Sequence, residues 1–414
     1  VSHRALMLGA IADGPVTVSN FLAGADCIAT RRALEQMGGR IETLPDGDIR
    51  IEGGGPESLA APDSPLDLGN SGTAMRLMAG LLAGQPFDSV LTGDESLSGR
   101  PMNRIIKPLA MMGAVIEADC DGTPPLQSRG GLRLRGIHYE LPVASAQVKS
   151  SLLLAGLYAD GKTSVVEPAV TRDHTERMLR AMGVDVKAEA GTISLIGGQE
   201  LRGSRIEVPG DLSSATFIIL GTLLSQDADV IIENVGVNPT RTGVIDILQG
   251  MGADISLENS RVFGEEPVAD IHFRASRLVG GDIDPSLVSL AIDEFPALFV
   301  AAAAAEGFRL AWHESSQEET LARSAGPRWR HRAAAAALGE QGTVFTNGWH
   351  VFPLPQAHRQ FVVPDGIPGI GQEVTELLVV RLARQYTPIG LHTHIVERCR
   401  TALDAQGQLL RIEV

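Results

Sequence analysis

The sequence predicts an α/β protein of two domains, each assembled from one compact subdomain used several times. Three observations carry this. The chain has 414 residues, 44% of them apolar, which is enough to bury a large core but too long for one ordinary domain. A pattern of helix, Leu or Met, Gly, short strand, turn and second strand recurs along it. Polar residues, above all arginine, serine and aspartate, cluster where the helices of that pattern begin.

The recurring segments are ALEQMGGRIETLPDGDIRIEG from Ala33, LAMMGAVIEADCDG from Leu109, MLRAMGVDVKAEAGTISLIGG from Met178 and ILQGMGADISLENSRVFGEE from Ile247, with a fainter one, AAALGEQGTVFTNGWHVFP, from Ala335. The Gly after Met or Leu falls at 38, 113, 183, 252 and 339. It supplies the left-handed residue that ends a helix. The alternating apolar residues after it make a half-buried strand, and PDGD, DG or TNGW turns a hairpin. Periods of roughly 70 to 87 residues are too long for common solenoids, so the expected arrangement has helices packed inside and sheets around them. VPGDLSSATFIILGTLL, between the third and fourth segments, makes Pro209 to Ser213 the expected passage between the two halves.

Composition narrows the function classes. A net charge of −15 argues against general affinity for nucleic acid or membranes, though not against a small anion in a basic cleft. No run of eighteen uncharged apolar residues and no N-terminal export signal are found, so a soluble cytoplasmic protein is expected. Three cysteines, Cys27, Cys120 and Cys399, form no CxxC and suggest neither a disulfide framework nor a zinc site. The chain changes character near Phe308: residues 1–307 hold 24 basic and 40 acidic residues, whereas 308–414 hold 11 arginines, 10 acidic residues and all three tryptophans.

The helix-start clusters come next. GNSGTAMR, from Gly69 to Arg76, lies between an extended segment and an apolar helix, and reads either as a capped turn or as a backbone cradle for an anion. VSHRALMLGA places Ser2 and Arg4 before an apolar helix. SLSGRPM sets Arg100 before Pro101, a residue suited to a first helical turn. ASAQVKSSLLLAGL puts Ser145, Ala146, Gln147 and Lys149 where free backbone donors begin, and TRDHTERML puts Thr171, Arg172 and Asp173 before a helix, with Asp173 as an acidic cap. Asp293 and Glu294 fall between a strand-like run and a long apolar helix, where carboxylates serve as caps or one acts as a base. Each has an ordinary structural reading alone. Together, guanidinium groups and helix N-termini aimed at one place make a site for a multiply charged anion such as a sugar-like phosphate. No P-loop, GxGxxG or HExxH is present to support nucleotide, nicotinamide or metal chemistry.

These segments, with LGNSGTAMRLMAGLL, PGDLSSATF, NPTRTG and IDEFP, resemble the 3-phosphoshikimate 1-carboxyvinyltransferase family, also called 5-enolpyruvylshikimate-3-phosphate synthase, over about residues 1–307. The resemblance implies the enolpyruvyl transferase fold, a two-domain inverted α/β barrel-like architecture of six βαβαββ units with the active site between the domains. The expected ranges are 1–208 for the first domain and 209–353 for the second, with a divergent tail at 354–414. It implies attack of the 5-hydroxyl of shikimate 3-phosphate on C2 of phosphoenolpyruvate, loss of phosphate from a tetrahedral intermediate, no cofactor, and a place in the shikimate pathway of aromatic amino acid and chorismate biosynthesis. A cytoplasmic monomer without nucleic-acid or membrane partners is implied.

Residue by residue, the resemblance assigns Arg4, Ser145, Ala146, Gln147 and Arg172 to shikimate 3-phosphate. Asn70, Gly72, Arg100 and Gln147 fall to phosphoenolpyruvate, and Asp293 is the carboxylate that takes the substrate proton. An Ala at Gly72 would put a methyl into the phosphoenolpyruvate pocket, in the family a route to glyphosate tolerance. The related UDP-N-acetylglucosamine enolpyruvyl transferase expects a reactive Cys near Arg100, where GDESLSGRPM has none. Two departures stand out. The family opens with G-[DS]-K-S directly before the equivalent of VSHR, whereas this sequence starts at Val1 with VSHR itself. FRLAWHESSQEETLARSAGPRWRHR stands where R-V-K-E-[ST]-D-R is expected, and all four lysines lie between Lys107 and Lys187. These departures predict negligible turnover, with a remnant that binds shikimate 3-phosphate as the alternative reading.

Overall fold

The recurring Met–Gly pairs end helices in one stereotyped way. The computed structural model describes residues 1–306 and 410–413. Within them, Gly38, Gly113, Gly183 and Gly252 have φ of +82°, +104°, +93° and +90°, the left-handed geometry that a side chain would strain. Each makes the two bonds of a Schellman cap. The Gly N–H donates to the carbonyl three residues back, of Glu35, Ala110, Arg180 or Gln249. The next N–H reaches the carbonyl of Leu34, Leu109, Leu179 or Leu248 at 2.9–3.0 Å. The preceding Met37, Met112, Met182 and Met251 are buried, and their carbonyls accept from Ala60, Arg135, Arg202 and Val279. A residue leaving each hairpin is thereby pinned to the helix that entered it. The fifth segment, from Ala335, lies outside the described residues.

The elements follow that repeat. The first unit is α1 (Ser2–Ala10), β1 (Asp13–Ser19), α2 (Ala25–Gln36), β2 (Arg40–Thr43) and β3 (Ile49–Gly54). The second is β4 (Leu66–Asp67), α3 (Gly72–Leu82), β5 (Ser89–Thr92), α4 (Glu95–Ser98), α5 (Asn103–Met111), β6 (Val115–Glu117) and β7 (Leu126–Arg129). The third is β8 (His138–Glu140), α6 (Ala146–Gly156), β9 (Lys162–Val166), α7 (His174–Ala181), β10 (Lys187–Glu189) and β11 (Thr192–Ile196), after which comes β12 (Arg205–Glu207). The fourth is α8 (Leu212–Leu223), β13 (Asp229–Gly236), α9 (Gly243–Gly250), β14 (Asp254–Phe263) and β15 (Glu266–Arg274), followed by α10 (Pro285–Val288), α11 (Phe295–Ala304) and β16 (Leu410–Glu413).

Among the described residues, four four-stranded sheets result, in the orders β12-β1-β3-β2, β4-β5-β7-β6, β10-β11-β9-β8 and β14-β15-β13-β16. Each contains one parallel pair and a hairpin laid antiparallel on one of its strands. The second and third units run βαβαββ and supply their own parallel strand, β4 or β8. The first and fourth take theirs from far along the chain, with Thr17 opposite Arg205 and Val230 opposite Leu410.

Among the described residues, buried apolar side chains fall into two clusters, one running from Ala5 to Val208 and one from Leu212 to Ala301. All nine residues of α1 are buried, as are nine of the eleven in both α3 and α6, so these helices are enclosed rather than amphipathic. Helices α3 and α6 run side by side so closely that a β-carbon on Gly80 would overlap the Ser151 carbonyl. Their shared direction brings both N-termini to one end.

One local expectation fails. The run before Asp293 is no strand but the short helix α10 and turns, because Asp284 accepts from the Ser286 N–H at 2.9 Å and Pro285 occupies the first helical position.

Candidate active site

The two adjoining helix starts gather one group of residues. At α3, Ser71 caps by accepting from the Ala74 N–H at 3.1 Å, so GNSGTAMR is a capped turn as its simpler reading expects. At α6, Ser145 caps Val148 at 3.4 Å, and Ala146 is the first helical residue. Gln147 bridges the helices: its Oε1 accepts from Arg76 Nη1 at 2.6 Å, and its Nε2 donates to Thr73 Oγ1 at 2.9 Å. Arg100 Nη2 donates to Asn70 Oδ1 at 2.7 Å and to Ser96 at 3.2 Å, while Asn70 Nδ2 donates to Asp94 at 2.7 Å.

Gly72 lies at the focus. A β-carbon there would stand 3.0 Å from Arg76 Nη1 and 3.1 Å from Arg100 Nη1. Burial, with Arg100 and Arg104 nearby, pushes the Arg76 guanidinium below its ordinary pKa. Crowded guanidinium groups at helix N-termini are relieved by an anion, and the missing side chain at Gly72 is what lets both tips approach its backbone.

A second group lies along α1, α7 and the fourth unit. Arg4 is buried, not a surface charge. Its Nε donates to Thr175 Oγ1 at 2.6 Å and its Nη2 to Ser150 Oγ at 3.1 Å. Burial, opposed by Glu176 and aided by Arg172, brings its pKa down to about 10, so it stays a cation at neutral pH. Arg172 Nη2 is ion-paired with Asp293 Oδ2. Asp173 does not cap α7 as the sequence suggests; its carboxylate accepts instead from Arg177 at 2.8 Å and Asn238 at 2.7 Å.

The sequence-selected residues thus form two sets. Asn70, Gly72, Arg100 and Gln147 share one end through Arg76, and Arg172 meets Asp293 directly. Arg4 reaches α6 through Ser150, and Ser145 bonds within its own helix. Arg76 and Thr73 are additions; Thr73 sits in the first turn of α3, and Arg76 lies one turn on from Gly72 and shares its face by i, i+4 spacing. Behind Asp293, Glu294 is buried and takes the Ser213 hydroxyl, while Arg241 Nη1 donates to Asp211 at 2.9 Å and Nη2 to Ser213. Burial raises the Glu294 carboxyl above its ordinary value.

Elsewhere, ligand atoms of His3, Asp26 and Cys27 lie within 4.8 Å of one another. Both His3 nitrogens are engaged, Nδ1 with Thr30 at 2.8 Å and Nε2 with Asp26 at 3.0 Å. That cluster reads as a hydrogen-bonded helix start.

Residues 1–320 match the model of the EPSP synthase (3-phosphoshikimate 1-carboxyvinyltransferase) family. The chain belongs to the EPSP synthase family. The 3-phosphoshikimate 1-carboxyvinyltransferase of Alkalilimnicola ehrlichii is 59% identical over 307 residues, covering 74% of this chain and 69% of that protein. Its counterpart in Nitrosococcus oceani is 55% identical over 307 residues, covering 74% and 69%. A solved EPSP synthase structure from Acinetobacter baumannii superposes with a TM-score of 0.70 at 56% identity, covering 75% of this chain and 71% of that one. An α/β enolpyruvyl transferase fold follows for this member of the EPSP synthases. The motif expectations at 308–409, on which negligible turnover partly rests, lie outside the described residues.

Proposed function

We propose that the chain transfers the enolpyruvyl group of phosphoenolpyruvate to the 5-hydroxyl of shikimate 3-phosphate and releases phosphate. The observation that carries this is the approach of the Arg76 and Arg100 tips to Gly72, with Gln147 bonded to Arg76, together with a second cationic set that ends on a carboxylate, Asp293. Two anionic substrates need two such sets, and the reaction needs a base between them.

Phosphoenolpyruvate is held by Arg100, Arg76, Asn70 and Gln147 over Gly72. Shikimate 3-phosphate is held by Arg4, Ser145, Ala146, Gln147 and Arg172, with its 5-hydroxyl on Asp293. The hydroxyl oxygen bonds to C2 as Asp293 takes its proton and C3 gains one from solvent, giving a tetrahedral intermediate. Loss of phosphate from C2 and of a proton from C3 then restores the double bond. Charge stabilisation by fixed donors lowers the barrier for both halves of the reaction.

The finer architecture belongs to the same reading: an inverted α/β barrel of six units, divided into 1–208 and 209–353 with 354–414 beyond. The break between buried clusters at Val208 and Leu212 supports the boundary. The protein acts as a cytoplasmic monomer; among the described residues no helix is long and apolar enough to cross a membrane. The test is phosphate release, expected only when both substrates are present. Saturable binding of shikimate 3-phosphate without phosphate release would assign the non-catalytic reading instead.

A further inference from the structure

Lys149 is 1% exposed in side chain and stands between two carboxylates, 2.9 Å from Glu167 Oε2 and 2.6 Å from Glu176 Oε1. Those side chains are 6% and 2% exposed. Glu167 Oε1 also accepts the Thr171 hydroxyl. Nothing in the proposed reaction uses this buried trio. Three charged groups taken out of water gain little over apolar residues of the same volume, so their value here lies in fixing geometry.

The trio ties together three segments. Lys149 sits two residues after Gln147 on α6. Glu167 opens the β9-to-α7 connection that presents Arg172, and its carboxylate also takes the hydroxyl of Thr171, the residue before that arginine. Glu176 follows Thr175, which receives Arg4, and Ser150, Arg4's other partner, follows Lys149. Every residue assigned to shikimate 3-phosphate except Asp293 is therefore within five positions of the trio or bonded to a residue adjoining it. The phosphoenolpyruvate set, apart from the shared Gln147, has no such link.

We infer that Lys149 is a positioning residue: its ammonium locks the Glu167–Arg172 connection and the start of α7 onto α6, setting the spacing at which Arg172, Arg4 and the α6 start meet shikimate 3-phosphate. The inference rests on the assignment of those residues proposed above. Misplacement of a binding group by about 1 Å is enough for large losses.

The test uses the full chain with K149M, E167Q and R172A. Affinity for shikimate 3-phosphate is read by calorimetry, KM for phosphoenolpyruvate by phosphate release, and amide exchange at residues 167–172 by mass spectrometry. K149M is expected to weaken shikimate 3-phosphate by about tenfold or more and E167Q by about threefold. Both should speed exchange in that connection and leave the phosphoenolpyruvate KM within about twofold. E167Q keeps Lys149 paired with Glu176 and decides the matter if K149M does not fold. If R172A weakens binding while the folded Lys149 and Glu167 variants bind like wild type, or lose phosphoenolpyruvate equally, the positioning role is wrong. Unchanged binding in R172A itself sinks the site assignment and this inference together.

Discussion

Arg172 and Asp293 form an ion pair although 121 residues separate them. One precedes α7 and the other precedes α11, so the contact joins a residue of the first buried cluster's half to one of the second's. Both side chains are well exposed, at 36% and 47%, and an ion pair in that setting contributes little stability. On the proposed reading, the pair opens for the substrate hydroxyl to reach the carboxylate. D293N keeps a side chain of the same shape but cannot take a proton. Phosphate release should fall about 10²- to 10⁴-fold, with affinity for shikimate 3-phosphate changed less than about tenfold. Equal losses in rate and affinity would make Asp293 a binding group alone.

Gly72 offers a steric test. Its backbone is helical, so an alanine is tolerated, yet the methyl would meet the flexible tips of Arg76 and Arg100 at 3.0 and 3.1 Å. The guanidinium groups must shift by a few tenths of an ångström. G72A should raise KM for phosphoenolpyruvate about tenfold, roughly 1.4 kcal/mol, while calorimetry with shikimate 3-phosphate stays near wild type. An unchanged KM would remove Gly72 from that pocket.

Acid should loosen the contact between α7 and β15. His174 is buried and bonded to Glu266 at 2.7 Å. Burial outweighs that partner and brings its pKa down to about 4, against about 6.5 unfolded. For Glu266, burial is outweighed by the bond from His174, which holds its carboxyl below the ordinary value. Between those His174 values the unfolded chain binds the extra proton, so stability rises with pH across the window and falls on acidification. Glu266 adds a loss of the same sign as pH falls from its ordinary range toward its lowered pKa. The midpoint of thermal unfolding should drop between pH 6.5 and 4, by the equivalent of about 1.4 kcal/mol per pKa unit, and H174Q should flatten the profile. A profile no flatter in H174Q would contradict the assignment.

Arg241 is the hub behind Asp293. Burial lowers its pKa tendency, but Asp211 and Glu294 outweigh it and raise the guanidinium above its ordinary value. Asp211 is in turn brought down to about 2, burial being outweighed by Arg241 and the Ser214 bonds. R241M would strand the buried Glu294 beside its Ser213 bond. Urea unfolding should show a loss of roughly 3 kcal/mol, as for other broken buried pairs. A loss below about 1 kcal/mol would mean the cluster relaxes without it.

Much of the fold is legible in the sequence because each repeat carries its own stop signal. Met followed by Gly is a local instruction, and Gly38, Gly113, Gly183 and Gly252 obey it with the same two hydrogen bonds. The parallel strands β12 and β16 are not legible, since three or four residues have no local partner that announces them. At the site, Ser145 caps as written, but Asp173 does not, because Arg177 one turn on and Asn238 from the fourth unit compete for its carboxylate. Arg76 escapes notice for a related reason. Its role depends on Gln147, which reaches it only because Gly80 lets α3 and α6 approach.

On the proposed reading, Arg4, Ser145, Gln147 and Arg172 form one recognition site for shikimate 3-phosphate. Calorimetric titration of that ligand into the wild-type chain and a Q147A/R172A double variant tests it most directly. One saturable site per chain is predicted, weakened about a hundredfold or more in the folded double variant. Wild-type affinity in that variant, or no binding to the wild-type chain, would contradict it.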